Sequence, residues 1–408
     1  MHGGVAAGAR DEGHAVGPAV RRALTAAFVS VLLGGFPAVA TASPSATCAD
    51  PVGVYPGEVP WGQRLLDPAR IWPLTTGAGQ LVAVVGTGVD TRNAQFGRGQ
   101  VVAARDIGDV GAEPGTDCDG RGTIAAGIVA AQANPATTFA GVAPGAKILP
   151  VRYPHAGGDG EPDRLAEAIK AAVAARAGVI LVAVPVNSGS AALTGAVAEA
   201  RERGSVVISP AAGTNGAPTY PAATPGALAV GSLDRAGATV GQEAGDHLGI
   251  AAPGADLVST SAGGHGVVAH RWPLTDPGLA AAYVAGAAAL VRAYHPALSP
   301  EQVVTRLVLT ANRPPNGDHD PKRGWGTLDA YAAVTAQIPA DAPAPGLGAG
   351  AGKPARVVPA AAAAVAPGDG LAGGVTIGAL GFAAAAGIAV AAVRRGRARG
   401  WQPGRRMP

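Results

Sequence analysis

The stretch Val82-Ala83-Val84-Val85, followed by Gly86-Thr87-Gly88, constrains this chain more than any other. Four small apolar residues in a row predict a strand buried on both faces, as inside a parallel sheet. The Gly-Thr-Gly turn then carries the backbone out at the strand's C-terminal end. In an open α/β sheet that edge is where ligands and reacting groups collect. Other short runs rich in Val, Ile and Leu predict strands at 81–85, 147–151, 179–184, 205–209 and 227–232. Helices are expected at 121–132, 162–176, 190–203, 279–294, 299–312 and 329–337. Ser299-Pro300-Glu301-Gln302 is a helix start, with Ser as cap, Pro at the first helical position and Gln to close a capping box. Strands alternating with helices predict the α/β class, a parallel sheet flanked by helices.

The ends read differently from the middle. Arg21-Arg22 precede the apolar run Ala23–Ala40, and Ala40-Thr41-Ala42 offers small residues for cleavage. Residues 1–42 therefore read as a secretory signal peptide, with an N-terminal membrane helix as the alternative. Leu371–Val393 is a second apolar run, free of charge and long enough to cross a bilayer. Arg394, Arg395, Arg397 and Arg399 follow it, so the tail 394–408 is expected inside and the body of the chain outside. A buried core helix is the alternative. Residues 338–370 are Pro, Ala and Gly with almost no large apolar side chain, and read as a tether.

The basic net charge comes from these ends. Residues 43–341 hold 20 Lys and Arg against 25 Asp and Glu, which argues against a nucleic-acid face. No cofactor or metal site is expected. The two cysteines, Cys48 and Cys118, form an even count in a chain read as exported, which suggests a disulfide; two free thiols are the alternative. Residues 43–75, with Pro51, Pro56, Pro60, Pro68 and Pro73, read as an irregular extension wrapped on the main domain at 76–337.

The segment around Gly86 resembles the first catalytic motif of the subtilisin-like serine proteases, V-A-V-I-D-T-G-V, with Gly86 where that family has aspartate. Asp117-Cys118-Asp119-Gly120-Arg121-Gly122-Thr123 resembles D-x-x-G-H-G-T, with Arg121 in place of histidine. Asp276-Pro277-Gly278-Leu279-Ala280-Ala281-Ala282-Tyr283 resembles the nucleophile motif G-T-S-F-A-A-P-Y, with Gly278 at the serine position. The oxyanion asparagine falls on Thr214, or on Asn215 if the loop shifts by one residue. Where the family's substrate strand reads S-L-G, this chain has Ala183-Val184-Pro185, and proline lacks the N–H that a paired peptide would use.

The extension, the placing of the two cysteines, the signal peptide and the terminal apolar run together resemble the mycosins, membrane-anchored subtilisin-like proteases that accompany type VII secretion systems. The resemblance implies a subtilisin-like fold and a secretion complex as partner. The substitutions imply a domain without a competent triad. A guanidinium stays charged and cannot accept a proton, and glycine can neither orient a base nor attack. For Arg121 the expected partner is Asp119 or Asp117, with a new anion contact as the alternative. Two other functional readings stand beside the inactive partner. One is an active serine endopeptidase with a rearranged site, for which Asp90, His155, His265, His270 and Ser261 are the candidates. The other is a regulatory domain that binds peptide in the old cleft.

Overall fold

In the computed structural model, residues 54–108, 115–153, 160–211, 218–241, 245–262, 269–339 and 342–343 are described. Residues 1–42, read above as a signal peptide, Cys48, His155, His265, the Thr214–Asn215 pair, the apolar run 371–393 and nearly all of 338–370, read as a tether, lie outside them. Among the described residues no helix is long and apolar enough to cross a membrane.

Seven strands form the main sheet: β1 (Leu81–Gly86), β2 (Arg105–Asp106), β3 (Lys147–Arg152), β4 (Val179–Val182), β5 (Val206–Pro210), β6 (Leu228–Leu233) and β7 (Leu248–Pro253). Their order is β2-β3-β1-β4-β5-β6-β7, and every pairing is parallel. The strand containing Val82–Val85 thus lies inside the sheet, with Val82 beside Ile148 on one side and Val179 on the other. Its side chains alternate between two cores. Val82 and Val84 pack with α2 (Arg121–Ala130) and α5 (Pro277–Tyr294). Ala83 and Val85 pack with α3 (Pro162–Ala174) and α4 (Ala191–Glu202). Burial on both faces explains why this strand reads as an unbroken apolar run.

Helix α5 runs through the larger core, buried from Pro277 to Val291. Alanine and glycine dominate it, so it approaches the strands closely. α6 (Pro300–Leu309) and α7 (Ala330–Thr335) cover its far end. The Ser299 capping box forms as expected: Ser299 Oγ accepts from Gln302 N, and Gln302 Oε1 accepts from Ser299 N at 2.9 Å.

The structure corrects several sequence expectations. The extension is not irregular throughout. It carries α1 (Trp61–Leu66) and a 3-10 turn at Pro68–Arg70, and it is pinned where Trp61 Nε1 donates to Asp256 O at 2.8 Å. The strand at 179–184 ends at Val182. Four strands went unread, namely the two-residue β2, β7 and an antiparallel pair, β8 (Ala255–Ser259) with β9 (His270–Thr275).

Candidate functional site

β1 ends at Gly86 on the C-terminal edge of the sheet. The turn that follows is stitched to the start of α2. Thr87 Oγ1 accepts from Gly122 N at 2.8 Å, and Asp90 N donates to Thr123 Oγ1 at 2.9 Å. A β-carbon on Gly122 would overlap the Gly88 carbonyl, so only glycine lets the two backbones meet there. Gly120, the cap residue of α2, has no side chain to satisfy the helix's free N–H groups. Asp117 does this instead. Its buried carboxylate accepts from Gly120 N at 2.9 Å, Thr123 N at 2.8 Å and Thr123 Oγ1 at 2.7 Å. Burial pushes this carboxyl above its ordinary value, while the hydrogen bonds pull the other way.

Arg121 opens α2, where the helix dipole disfavours a cation. Asp119 compensates with a two-pronged contact, Nε to Oδ1 at 2.6 Å and Nη2 to Oδ2 at 2.9 Å. Of the two expected partners the structure selects Asp119, because Asp117 is turned inward to the helix backbone. The hydrogen bond to Asp119 raises the arginine's already high value, and the field of Asp276 adds to it.

Asp276 caps α5, accepting from Gly278 N at 2.8 Å, with Pro277 at the first helical position. Burial, chiefly, pushes its carboxyl upward, against the Gly278 N–H and the charge of Arg121. The sequence contained a signal for this cap, an Asp-Pro pair before an apolar helix, which its reading as a degenerate nucleophile motif obscured.

Gly86 and Gly278 converge on one short segment, Ala183-Val184. A β-carbon on Gly86 would sit 3.2 Å from Val184 Cγ2. One on Gly278 would overlap the Ala183 carbonyl oxygen and lie 3.0 Å from Asp276 Oδ1. The charge of Arg121 is felt at Asp276, two residues before Gly278. Ala183 and Val184 are buried. Several backbone groups in and beside the segment are taken up internally. Ala183 N donates to Val85 O at 2.9 Å, Tyr153 OH donates to Val184 O at 2.5 Å, and Val186 exchanges two hydrogen bonds with Tyr220. Tyr153 is buried, which raises its phenol further above neutral pH.

Among the described residues the other sequence candidates, Asp90, Ser261 and His270, do not assemble. Asp90 is buried and forked onto Arg92, with contacts of 2.9 and 2.6 Å. Ser261 Oγ is buried and has no hydrogen-bond partner among the described residues, so no base there holds it. His270 opens β9 and pairs across the ladder with Ser259. Among the described residues no cluster of His, Cys, Asp and Glu could hold a metal ion. Cys118 is disulfide-bonded.

Comparison with known proteins gives this geometry its context. The model of the Peptidase_S8 subtilase family matches residues 77–326. Mycosin-4 of Mycobacterium tuberculosis is 34% identical over 316 residues, covering 67% of this chain and 68% of the relative. Mycosin-3 of the same organism is 33% identical over 362 residues, covering 71% and 75%. The crystal structure of MycP1 with its N-terminal propeptide removed superposes with a TM-score of 0.61 at 28% identity, covering 69% of this chain and 98% of that one. MycP3 protease from the type VII (ESX-3) secretion system superposes with a TM-score of 0.60 at 31% identity, covering 71% and 91%. The seven-stranded parallel sheet, its flanking helices and these matches place the chain in the subtilase family, with a domain of the mycosin type.

Proposed function

We propose that this protein is a membrane-anchored, extracytoplasmic mycosin-type domain without protease chemistry, acting as a scaffold or partner in a type VII secretion complex. The observation that carries the reading is the crowding at Gly278. The position assigned to the nucleophile has no hydroxyl, and the Ala183 carbonyl fills the space a serine would need. Gly86 has no carboxylate to orient a base, and Arg121 is committed to Asp119. Substrate pairing is impaired as well, because Pro185 lacks an N–H and the Val184 carbonyl and both backbone groups of Val186 are already bonded. That also weighs against a peptide-binding regulator. MycP1 is described as a serine protease and an essential component of the type VII (ESX-1) secretion system, which supports such a complex as the setting.

On this reading Leu371–Val393 is the anchor and Cys48 is the partner of Cys118. The test is fluorophosphonate labelling of the full chain, with an intact mycosin as positive control. No labelling is expected. In subtilisin itself, removing the nucleophile or the base costs about 10⁶ in turnover. Stoichiometric labelling of any serine would overturn the proposal and promote a rearranged active site. Topology is tested separately by adding protease to intact cells. Digestion of the domain with a small membrane fragment left behind is expected, and full protection of the domain would refute the orientation.

A further inference from the structure

The edge of the sheet opposite the Gly278 cluster is a row of cations. Lys147 opens β3, and Arg98 lies three residues before Val101, which bridges to Ile148. Arg292, near the end of α5, meets Gln80 Oε1 at 3.4 Å just before β1, and it crowds Gly178 just before β4. Arg176 and Arg203 each stand three residues ahead of a strand, β4 and β5 respectively. β3, β1, β4 and β5 are adjacent in that order, and neighbouring strands lie about 4.8 Å apart, so the row spans roughly 15 Å. The connections feeding these strands, residues 76–80, 97–101, 143–147, 174–179 and 202–206, hold four cations and one acid, Glu202. Arg98, Lys147, Arg176 and Arg203 are exposed, and none has a carboxylate partner among the described residues. Arg292 is half-buried with Nη1 unpartnered.

Two exposed apolar side chains belong to the same end. Tyr294 is 43% exposed in the last turn of α5, two residues from Arg292. Leu74 is 44% exposed, two residues before Thr76, whose carbonyl accepts from Gly145 N next to the Lys147 turn. The last described residues also lie at this end, with Ile338, Pro339 and Ala342 beside Leu298 and Gln302. α7 finishes beside the end of α5, where His295 Nε2 meets Val334 O at 2.7 Å and Arg306 donates to Ala336 O at 2.7 Å.

We propose that this cationic row, with Tyr294 and Leu74, rests on the anionic headgroups of the bilayer that holds the chain's anchor. The inference depends on the anchor reading proposed above. An extended row flanked by a tyrosine and a leucine suits a headgroup layer, where cations meet phosphates and amphipathic rings sit at the interface. The tether reaches far enough, since a flexible chain of its length has a root-mean-square span of about 30 Å. An acidic protein is the competing occupant, and it carries no such reason for the apolar flanks.

The test uses the full chain reconstituted in vesicles of phosphatidylcholine, with or without one quarter phosphatidylglycerol, and reads hydrogen exchange. Exchange at 143–147 and 174–179 should slow several-fold in the phosphatidylglycerol vesicles alone. The protection should disappear at about 0.5 M salt, where charges are screened beyond a few ångströms. It should also disappear in the variant Lys147→Gln, Arg176→Asn, Arg203→Gln. These side chains are exposed and unpaired, and asparagine suits the left-handed backbone at 176 (φ 60°), so the unfolding midpoint should not move. Equal exchange in both vesicle types, with the protein resistant to alkaline extraction, overturns the proposal. Protection conferred only by other components of a secretion complex overturns it in favour of an acidic protein. If alkali extracts the protein, the anchor reading fails on its own. Flotation of the extracted chain with phosphatidylglycerol vesicles then decides the row: salt-sensitive flotation upholds it, and none overturns it.

Discussion

The carbonyl oxygen of Ala183 occupies the space that a β-carbon on Gly278 would need. The obstacle is backbone, which no rotamer change can move. Gly278→Ser should therefore destabilise the domain by about 1–3 kcal/mol, the usual cost of forcing atoms into a packed site. Equilibrium denaturation gives the number directly. The triple reversion Gly86→Asp, Arg121→His, Gly278→Ser should remain unlabelled by a fluorophosphonate. Labelling of the restored serine in that variant would show that the segment yields easily.

Asp117 holds the start of α2 from inside the protein. Asp117→Ala removes three hydrogen bonds and leaves two buried N–H groups without an acceptor. A loss of about 2–4 kcal/mol follows, read as a fall in Tm of roughly 5–10 °C. Asp119→Ala is the control. That ion pair is partly exposed on both sides, so its loss should cost no more than about 1 kcal/mol. Equal losses at the two positions would contradict the division of labour between these carboxylates.

The carboxyl of Asp276 is raised in the folded state, so folded protein binds its proton more tightly than unfolded protein does. Its contribution to stability is therefore greatest in acid and is lost as pH rises from about 4 through the folded value. Asp276→Asn keeps an acceptor for Gly278 N–H and removes the buried charge. Relative to the native protein, the variant should gain stability between pH 4 and pH 7, measured as denaturant midpoints. A difference that shrinks over that range would reverse the sign argued here.

His295 behaves in the opposite sense. Burial, chiefly, lowers its value, while the contact with Val334 O pulls upward. Its contribution is complete above about pH 6.5 and is lost as pH falls through the folded value. In His295→Gln, midpoints collected between pH 7 and pH 5 should decline less steeply than in the native protein. An unchanged slope would remove His295 from the acid response.

Reduction tests the proposed link between Cys48 and Cys118. The bond would close a loop of about 71 residues, for which chain entropy alone gives an upper figure of about 4 kcal/mol. Reduced and alkylated protein should unfold at a clearly lower midpoint, and peptide mapping of the oxidised chain should recover the two cysteines joined.

Much of the scaffold was legible because its signals are local. Val82–Val85 and Val179–Val182 read as strands from their own composition, and Ser299–Gln302 announced a helix from four residues. β7 escaped because Leu248–Pro253 holds only two large apolar side chains, Leu248 and Ile250, among glycine, alanine and proline, and lies at the end of the sheet, where half its pairing is absent. α1 is less than two turns long, too short to show a helical period. The proposed assignment of Gly86, Arg121 and Gly278 to triad positions rests on their flanks in the sequence. The closing of Ala183 over Gly278 could not be read there, because it joins residues 95 positions apart in the chain and depends on where α5 is seated. Likewise, two acids precede Arg121, and only the folded loop shows which one turns inward.

Helix α5 also acts as a ruler. Its first turn carries Gly278 and its last carries Arg292 and Tyr294, beside the end of α7. Eighteen residues of α-helix measure about 27 Å. The Gly278 cluster is thereby held at a fixed height above the end of α5. A companion that recognises both ends must bridge that height, and one too short to do so can hold only one of them.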